Sequence, residues 1–350
     1  MGTKHKNLYA DIVSTDSIQT AFDRTSKGKR NSQEFLAFNE SAQHHLRVLQ
    51  DELSAETWQP QPFRQFTIFE PKKRQINAPT FSDRVVHHAL IGVIEPIFDA
   101  TFSPWSFACR KGMGTHAGVK FVQSELRKNG YTHFLKTDFS AFFPSIDTEI
   151  LHAEYRKKIS CKKTLALLEK VIPRNVTGIP IGSLTSQLSA NVYGNILDRY
   201  LHHVLKVKFV RYMDDVVVFG NDSDSLRKTK DSIEVFAREE MKLKFSRWSI
   251  NSVDKGINFI GYRIWPKYKL LRKSSVLSAK RKIKKLRHDD DPEALRRFLG
   301  SWRGHIDKAD SHNLKVWLNK HHDIVGYLVA LRDKPKPGRQ ELFENIFGGV

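Results

Sequence analysis

The sequence lacks the features that mark secreted, membrane-spanning or repetitive proteins. Its 350 residues include two cysteines, Cys109 and Cys161, which form neither a disulfide framework nor a metal-binding spacing. No apolar run approaches the roughly 18 residues of a membrane-spanning helix, and the polar, basic start has no signal-peptide core. Internal repeats and low-complexity tracts are also missing. We therefore expect a soluble, cytoplasmic protein without a membrane partner.

Acidic residues are scarce relative to basic ones. The chain has 38 Asp+Glu against 58 Lys+Arg, a net charge of +20, and its pI is near 9.8. Between Tyr262 and Gln340 there are 21 Lys+Arg and 8 Asp+Glu, so this stretch carries more than half of the excess. The expected partner is a polyanion. A hydrophobic content of 40% is enough for one large core or a few small ones.

Asp214 and Asp215 lie side by side inside an otherwise apolar run, between Lys208-Phe209-Val210 and three valines. The pattern predicts a hairpin with the two carboxylates at its tip. Strands this apolar are not expected at a solvated edge, so the acids should lie at the end of buried structure, where charge is costly without a cation. The alternative interpretation is an ordinary polar turn.

A second acid favours a metal site over a polar turn. Asp138 ends a short apolar strand, and the chain between it and Asp214 is long enough for intervening helices and a return to the same sheet. Three carboxylates from two strands can hold two Mg²⁺ ions roughly 3.5–4 Å apart, an arrangement that activates a 3′-hydroxyl and stabilises a leaving pyrophosphate. Mg²⁺ suits this chemistry because it leaves positions open for substrate phosphates.

Three segments together resemble the A, B and C motifs of reverse transcriptases. They are the Asp138 segment, the segment Gly178–Tyr193, and the turn Tyr212-Met213-Asp214-Asp215. Within that superfamily the chain resembles the reverse transcriptases of bacterial and phage diversity-generating retroelements. The finer resemblance rests on Ile181-Gly-Ser-Leu-Thr-Ser-Gln187, where most other reverse transcriptases have Gln-Gly at the start and Ser-Pro at the end. It extends from the N-terminal basic segment to about residue 325.

The resemblance implies an α/β (α+β) fold, that of a right-hand polymerase with fingers, a palm formed by an antiparallel sheet flanked by helices, and a three-helix thumb. The implied divisions are an N-terminal helical basic segment (1–60), fingers (61–130), palm (131–265, interleaved with the fingers around 150–180), thumb (266–333) and a basic tail (334–350). Asp291-Pro292 and Ser311 are expected to begin the second and third thumb helices.

The resemblance also implies an RNA-directed DNA polymerase in which Asp138, Asp214 and Asp215 are the catalytic metal ligands. Two Mg²⁺ ions are the implied cofactors, with Mn²⁺ as a possible substitute, and the backbone carbonyl of Phe139 would complete the coordination. Many reverse transcriptases have Lys-Thr further along, where this chain has Ser246-Arg-Trp-Ser249. No lysine can therefore be assigned as a general acid for pyrophosphate departure, and Arg247 would be a poor proton donor because it stays charged.

Residues implied in deoxynucleotide binding come from two regions. They are Lys72, Arg74, Phe143, Ile181, Gly182 and Gln187. The basic pair belongs to the fingers hairpin and would hold the triphosphate, unless the hairpin is an ordinary basic surface turn. Phe143 would pack under the sugar and exclude a 2′-hydroxyl. Gly182 would let backbone approach the nucleotide and template base, and Ile181 replaces a Gln that helps to enforce pairing, so we expect relaxed fidelity.

Contacts with template and primer are implied elsewhere in the chain. The segment Ile257–Ile264 alternates as a strand does and resembles the hairpin that grips the primer terminus, so by resemblance the primer grip would be Phe259, Gly261 and Tyr262. The other implied nucleic-acid contacts are Arg110, Lys280, Arg281, Lys284 and Arg287. For Arg110 a structural role is the alternative. Ser186 and Gln187 are expected to cap and line the template side of their helix, whereas Asp147 is expected to be a helix N-cap and not a ligand.

The implied partners are a template RNA, the RNA/cDNA duplex, deoxynucleotides and a small, basic, oligomeric accessory protein. The implied product is an error-prone cDNA, mutated opposite template adenines, that diversifies a target gene. Alternatives are a retron-type or antiphage-defence reverse transcriptase, an RNA-templated RNA polymerase, and a non-catalytic RNA-binding scaffold on a polymerase fold. A group II intron enzyme is less expected because few residues follow the thumb.

Overall fold

The structure is a computed structural model that describes residues 4–69, 73–289 and 291–322. The chain divides into two compact units, Met1–Lys255 and Gly256–Val350. No helix within the described ranges is both long enough and apolar enough to cross a membrane. The predicted nucleotide ligand Lys72 and the predicted basic tail (334–350) lie outside the described residues.

The first unit begins with four helices, three of which pack against a fifth. Their bounds are α1 Leu8–Val13, α2 Thr15–Ser26, α3 Gln33–Asn39, α4 Ala42–Ser54 and α5 Phe81–Asp99. Serine hydroxyls begin two of them, since Ser14 accepts a hydrogen bond from the Ser17 amide and Ser32 from the Phe35 amide. Helix α5 is the buried member, with Val85, Leu90 and Ile94 fully enclosed. The predicted helical character of residues 1–60 is therefore confirmed.

A two-stranded antiparallel hairpin separates α4 from α5. It consists of β1 Arg64–Ile68 and β2 Arg74–Ala78, paired from Arg64 opposite Ala78 to Ile68 opposite Arg74. Most of its residues are exposed, and Phe69 just beyond β1 is 70% exposed. A hairpin with so little buried surface is held by its ends and not by a core of its own.

Helices fill the chain before and between the strands of the main sheet. They are α6 Thr115–Asn129, α7 Phe142–Ser145, α8 Thr148–Lys158, α9 Lys162–Val171, α10 Leu184–Arg199 and α11 Ser223–Glu240, with a wider turn at Tyr200–Val204. Asp147 caps α8 by accepting hydrogen bonds from the amides of Glu149 and Ile150, which confirms its predicted role. Helix α10 is buried along most of its length.

The main sheet has four antiparallel strands in the order β4-β5-β3-β6. They are β3 His133–Phe139, β4 Phe209–Tyr212, β5 Asp215–Gly220 and β6 Phe245–Ser252. The predicted hairpin is β4–β5, and its valines at 216–218 are fully buried. Strand β4 ends the sheet but is covered, because the Arg211 amide donates to the Trp105 carbonyl (2.9 Å) and Phe107 donates back to Arg211 (3.0 Å). The prediction that these strands are not solvated is thus confirmed.

Within its described residues, the second unit combines a small sheet with three helices. Its elements are β7 Ile257–Phe259, β8 Tyr262–Ile264, β9 Lys269–Leu271, α12 Lys273–His288, α13 Pro292–Ile306 and α14 His312–His322. The three predicted helices are confirmed, and Asp291 caps α13 through the Ala294 amide. Ile257–Ile264 forms the hairpin that the resemblance implied, with Ile260 (φ 44°) and Gly261 (φ 86°) reversing the chain between β7 and β8.

Candidate active site

The two adjacent acids flank the reversal of the β4–β5 hairpin. Tyr212 is the last residue of β4 and Asp215 the first of β5, so Met213 and Asp214 form the turn. Met213 has φ +56°, a left-handed conformation that side-chain-bearing residues rarely adopt. The pleat is broken at this point, and Asp214 is presented separately from the strand residue Asp215.

The third acid lies directly across the sheet from Asp215. Asp138 in β3 pairs with Asp215 in β5 and, on its other side, with Arg247 in β6, while Tyr212 pairs with Asp215 from β4. Directly opposed residues of an antiparallel sheet point to the same face. One row across four strands therefore gathers two carboxylates, a guanidinium and a phenol, with Asp214 next to it on the turn.

Basic and hydroxyl groups of the chain contact these carboxylates. The Lys136 ammonium pairs with Asp215 Oδ1, and Arg247 Nε lies 3.2 Å from Asp138 Oδ2. Ser246 Oγ is 3.0 Å from the Asp138 carbonyl oxygen and 3.2 Å from Oδ2. The register of β3 and β6 shifts between Asp138 and Phe139, which leaves Ser246 as the extra residue of a bulge. The bulge turns the Ser246 side chain toward Asp138.

The carboxylates lie close enough to affect one another's protonation. Burial, followed by the carboxylates of Asp138 and Asp215, raises the pKa of Asp214 to about 6 from the ordinary 3.8. The raised pKa therefore means mainly that the ionised Asp214 is poorly solvated, and secondly that it is repelled by its two acidic neighbours.

This donor set fits a hard divalent cation. Its ligands are carboxylate oxygens on a rigid sheet, which Mg²⁺ prefers, and their mutual repulsion is what a bound cation would relieve. Within the described ranges, however, no three His, Cys, Asp or Glu side chains are gathered closely enough to hold an ion between them. Asp215 and Asp138 are instead paired with Lys136 and Arg247. Binding of an ion would thus require these carboxylates to exchange a cation of the chain for the metal.

Backbone hydrogen bonds join the segment after Asp138 to the segment before α10. The Gly178 amide donates to the Ile146 carbonyl (2.7 Å) and the Ile179 amide to the Phe143 carbonyl (3.0 Å). Gly178 has φ +94°, and a Cβ there would lie 2.8 Å from the Pro144 oxygen, so only glycine fits. Phe143 is half-buried and meets the buried Phe142 edge-on at 5.9 Å. Its role in sugar selection remains a prediction.

The loop that carries Ile181 and Gly182 is held from two sides. The Asn77 amide of β2 donates to the Ile181 carbonyl at 2.8 Å. Gly182 has φ +117°, and a Cβ there would come within 2.7 Å of the Ile76 side chain. The absence of a side chain at Gly182 thus allows the β1–β2 hairpin to approach closely. Nucleotide contact by Ile181 and Gly182 stays a prediction.

A buried polar chain lies behind the same loop. Ser183 Oγ is 3.1 Å from His87 Nδ1 and 2.5 Å from Thr185 Oγ1, and all three side chains are almost fully buried. Burial, and secondly the neighbouring His88, lowers the pKa of His87 to about 4. His87 is therefore neutral at physiological pH. Nothing in the sequence distinguished it from an ordinary core histidine of α5.

The remaining predicted nucleotide residues are exposed. Arg74 begins β2 with its residue exposed, and Gln187 is exposed in the first turn of α10. The predicted cap by Ser186 is wrong, because Ser183 occupies the N-cap position and the Ser186 hydroxyl is buried without a partner. Phe139 is buried against Phe245, and the proposed use of its carbonyl remains a prediction.

The predicted nucleic-acid contact at Arg110 is corrected by the structure. Its side chain is 8% exposed, and Nε donates to Asp99 Oδ1 at 2.6 Å. Nη1 donates to the carbonyls of Ser103 (2.8 Å) and Ser106 (2.9 Å). The guanidinium thus fastens the 99–110 loop from inside, and no face of it is presented to a nucleic acid.

The second unit contains the predicted primer grip and basic helix. Phe259 and Tyr262 are fully buried, and the Tyr262 hydroxyl is 2.9 Å from His305 Nδ1, so these side chains stabilise the unit's core. The exposed residues of that hairpin are Asn258 and Arg263, whereas Ile260 and Gly261 at its turn are partly buried. Along α12, Arg281, Lys284 and Arg287 are exposed, and Lys280 lies over the Trp317 ring at 3.9 Å.

Sequence reasoning missed several groups at the site. Lys136 is two residues before Asp138 and therefore on the same face of β3, a period-2 signal that could have found it. Ser246 could not have been found, because its contact depends on a bulge.

The first unit has the fold of a right-hand polymerase: an antiparallel palm sheet with carboxylates on two adjacent strands and a fingers hairpin that contacts the loop before α10. The family described as reverse transcriptase (RNA-dependent DNA polymerase) matches residues 69–264, more than half of the chain. This protein therefore belongs to the reverse transcriptase family.

The proteins that are similar to this chain include a group II intron-encoded protein. The chain is 24% identical to protein YkfC of Escherichia coli (strain K12), over 63% of this chain and 71% of that protein. It is 21% identical to the group II intron-encoded protein LtrA of Lactococcus lactis subsp. cremoris, over 93% of this chain and 67% of the relative. Apo telomerase from Candida tropicalis superposes with a TM-score of 0.49 and 12% identity over 62% of this chain. The match spans 49% of that telomerase chain.

Proposed function

We propose that this chain is an RNA-directed DNA polymerase that extends a primer 3′-end by nucleotidyl transfer from deoxynucleoside triphosphates. The observation that supports this most is the row Tyr212–Asp215–Asp138–Arg247 with Asp214 beside it. Three carboxylates held by two adjacent strands, one of them with a pKa raised to about 6, are costly for stability alone. Membership of the reverse transcriptase family gives this cluster its chemical meaning.

In this proposal Asp138, Asp214 and Asp215 hold two Mg²⁺ ions, with Mn²⁺ as a substitute. When bound, the ions supply activation of the primer hydroxyl and stabilisation of the leaving pyrophosphate. Ser246 holds the Asp138 carboxylate, while the ions would take the place of Arg247 at Asp138 and of Lys136 at Asp215. The half-buried Phe143 would exclude a 2′-hydroxyl, and Arg74 would hold the triphosphate.

The proposal is tested by extension of a DNA primer on a defined RNA template with purified protein, Mg²⁺ and deoxynucleotides. The Asp214→Ala/Asp215→Ala protein is the control. Extension that disappears in the control supports the polymerase. Absence of extension, even with a native RNA and a partner protein, would favour a non-catalytic RNA-binding scaffold. Ribonucleotide use that rises when Phe143 is trimmed to Ala supports sugar selection by that ring.

We further propose that the product is error-prone cDNA that diversifies a target gene, as in diversity-generating retroelements, with a template RNA and a small basic accessory protein as partners. Support comes from the Ile181–Gln187 sequence and from the apolar Ile181 at the loop that contacts the fingers hairpin. An isoleucine cannot donate the hydrogen bonds of a glutamine. Sequencing cDNA from wild type and from Ile181→Gln tests this, and an unchanged error frequency opposite adenine would contradict it.

A second candidate function is that of a group II intron-type reverse transcriptase acting on its own structured RNA. The similarity to LtrA over 93% of this chain favours it. Extension that is accurate opposite adenine, together with preferential binding of an intron RNA over an unrelated RNA of equal length, would support this reading. Accurate extension without such a preference would instead favour a retron-type or antiphage-defence enzyme.

A further inference from the structure

Arg211, three residues before Asp214, is an arginine inside the palm core. It lies in β4 with 1% of its surface exposed, between the buried Val210 and the half-buried Tyr212. A guanidinium in such a place is costly unless acceptors surround it. Its contacts show what it is used for.

The guanidinium bridges a helix and the catalytic turn. Nε donates to Asp198 Oδ1 at 2.7 Å and Nη2 to Oδ2 at 2.8 Å, a two-pronged pair in which both side chains are buried. The third nitrogen, Nη1, donates to the Met213 carbonyl at 3.2 Å. Asp198 belongs to α10, so one arginine connects that helix with the residue before Asp214.

Met213 is the residue whose conformation needs such support. Its φ of +56° is in the left-handed region, which is unfavourable for a residue with a side chain and persists when the surroundings impose it. This conformation turns the chain so that Asp214 leaves the strand. A hydrogen bond to the Met213 carbonyl therefore acts on the geometry of the neighbouring acid.

Helix α10 has a glycine, Gly194, where a side chain would overlap the guanidinium of Arg211. A Cβ at Gly194 would lie 2.6 Å from Arg211 Cζ and 3.1 Å from Nη2, closer than real contacts allow. Glycine inside a helix is unfavourable relative to alanine. Its presence here is explained by the space that Arg211 requires.

We infer that Arg211 is a positioning residue for nucleotidyl transfer: Asp198 orients its guanidinium, which holds the Met213 carbonyl and with it the turn that presents Asp214. The inference rests on the proposed polymerase function. It gives α10 a mechanical role, because the helix begins directly after the Ile181–Ser183 loop and carries Asp198 near its end. The predicted nucleotide-binding loop thus leads into the start of this buried helix, and the turn that carries Asp214 is held from near its end through Asp198 and Arg211.

The first test is Arg211→Lys, which keeps the positive charge but cannot contact Asp198 with two nitrogens and Met213 with a third. The melting temperature, the Kd for a primer–template duplex, and kcat and KM for deoxynucleotide are measured in the full chain. We expect kcat to fall about 10²-fold, the size of effect that a small misplacement of catalytic groups produces. The Kd and KM should stay within about twofold of wild type, because neither depends on the turn.

Gly194→Ala provides an independent variant in which Arg211 and Asp198 are both retained. The added methyl displaces the guanidinium, so kcat should fall in the same way, and the double variant should lose little more than Arg211→Lys alone. Gly300→Ala is the matched control, since a Cβ at that position in α13 meets nothing within 4 Å. In the Arg211→Lys background, Met213→Gly should restore kcat about tenfold, because glycine adopts the left-handed turn without support.

Each outcome bears on the inference. A folded Arg211→Lys protein with wild-type kcat overturns it, as does a loss of activity that follows the folded fraction or the Kd, or a double variant whose losses multiply. If Arg211→Lys does not fold, Gly194→Ala decides by the same criteria. A wild-type chain that never extends a primer overturns the proposed function and this inference together, whereas an active wild type with unaffected variants overturns this inference alone.

Discussion

The carboxylate-bearing end of the palm sheet and helix α12 differ in how their charges are balanced. In the palm, each of the acids Asp138 and Asp215 has a cation of the chain beside it, Arg247 and Lys136 respectively. Helix α12 has seven Lys+Arg and no acidic residue between Lys273 and His288, and most of these side chains are exposed. One region is internally compensated, and the other accumulates charge of one sign.

The two regions therefore depend on different physical properties. Compensated charges in a partly buried site act over a few ångströms, so their effect depends on geometry and responds little to salt. Uncompensated surface charges attract a polyanion through released counterions, so their effect depends on number and weakens with salt. This contrast predicts a larger loss for substitutions at the carboxylates than for substitutions on α12.

The largest effect is expected at the carboxylates themselves. Asp214→Asn/Asp215→Asn should lower kcat by about 10³-fold or more, because the amides cannot replace the ionised ligands that the proposed metal ions need. Primer–template affinity should change less than about twofold. The control is Asp224→Asn, an exposed acid in the first turn of α11. Single-turnover extension measures the rate, and a loss smaller than tenfold would mean that these acids are not the ligands.

His87 shows a third way of handling charge, which is burial in the neutral form. Its folded pKa of about 4 lies below the unfolded value of 6.5, so the unfolded chain binds more protons between these values and stability falls as the pH drops from 6.5 to 4. The free energy of unfolding that the chain loses through His87 between these two pH values is on the order of 3 kcal/mol. His87→Gln can keep a hydrogen bond to Ser183 and should remove this part of the acid sensitivity.

Urea unfolding at pH 7 and at pH 4.5 provides the measurement for His87. The exposed His44 of α4, changed to Gln, is the control and should leave the acid-induced loss as in wild type. If His87→Gln loses as much stability on acidification as wild type does, then His87 is not held neutral by the fold, and the polar chain behind the Ile181–Ser183 loop has a different protonation state.

Neutralising α12 should weaken nucleic-acid binding without changing the chemistry. Arg281→Ser/Lys284→Ser/Arg287→Ser removes three exposed charges and should reduce affinity for an RNA/DNA duplex roughly 10- to 100-fold, with the salt slope smaller by about 2 to 3. Sequence preference should not change, since phosphate contacts carry no sequence information. Titrations at several salt concentrations give both numbers.

The control for α12 comes from a charge-balanced helix. Arg227→Ser/Lys228→Ser in α11 removes exposed basic residues from a helix with four Lys+Arg and five Asp+Glu, and should leave the salt slope unchanged. Equal losses in the two helices would show that binding follows total charge, and the contrast between α12 and the rest of the chain would have no functional meaning.

Local signals in the sequence predicted the main sheet and the helices well. The Val216–Val218 run could be read as a buried strand because three β-branched residues in succession leave no polar face. The acid pair marked the turn, and Asp147 and Asp291 marked helix starts through their capping side chains. The hairpin at Ile257–Ile264 was indicated only by the resemblance, because alternation continues across the Ile260-Gly261 reversal.

The contacts that adjust the site could not be read from the sequence. Arg211 interrupts an apolar strand, which signals a buried charge, but its partner Asp198 is on a helix whose rotation only the packed structure determines. Arg110 was assigned to nucleic acid because a basic residue in a glycine-bearing loop has the same appearance whether it faces phosphate or the carbonyls of its own loop. Long-range pairing, and not residue type, separates these cases.

The smallest predicted effect separates the two cations that pair with the carboxylates, Lys136 and Arg247. Lys136 is 21% exposed in its side chain and Arg247 72% exposed, so solvent screens the second pair much more strongly. Lys136→Met removes a charge that offsets the carboxylates, and the half-saturating Mg²⁺ concentration for extension should fall about threefold to fivefold. Arg247→Met should change it less than twofold. If both variants respond equally, or if Lys136→Met raises the Mg²⁺ requirement, Lys136 is not a counterion that the metal must replace but part of the support that keeps Asp215 in place.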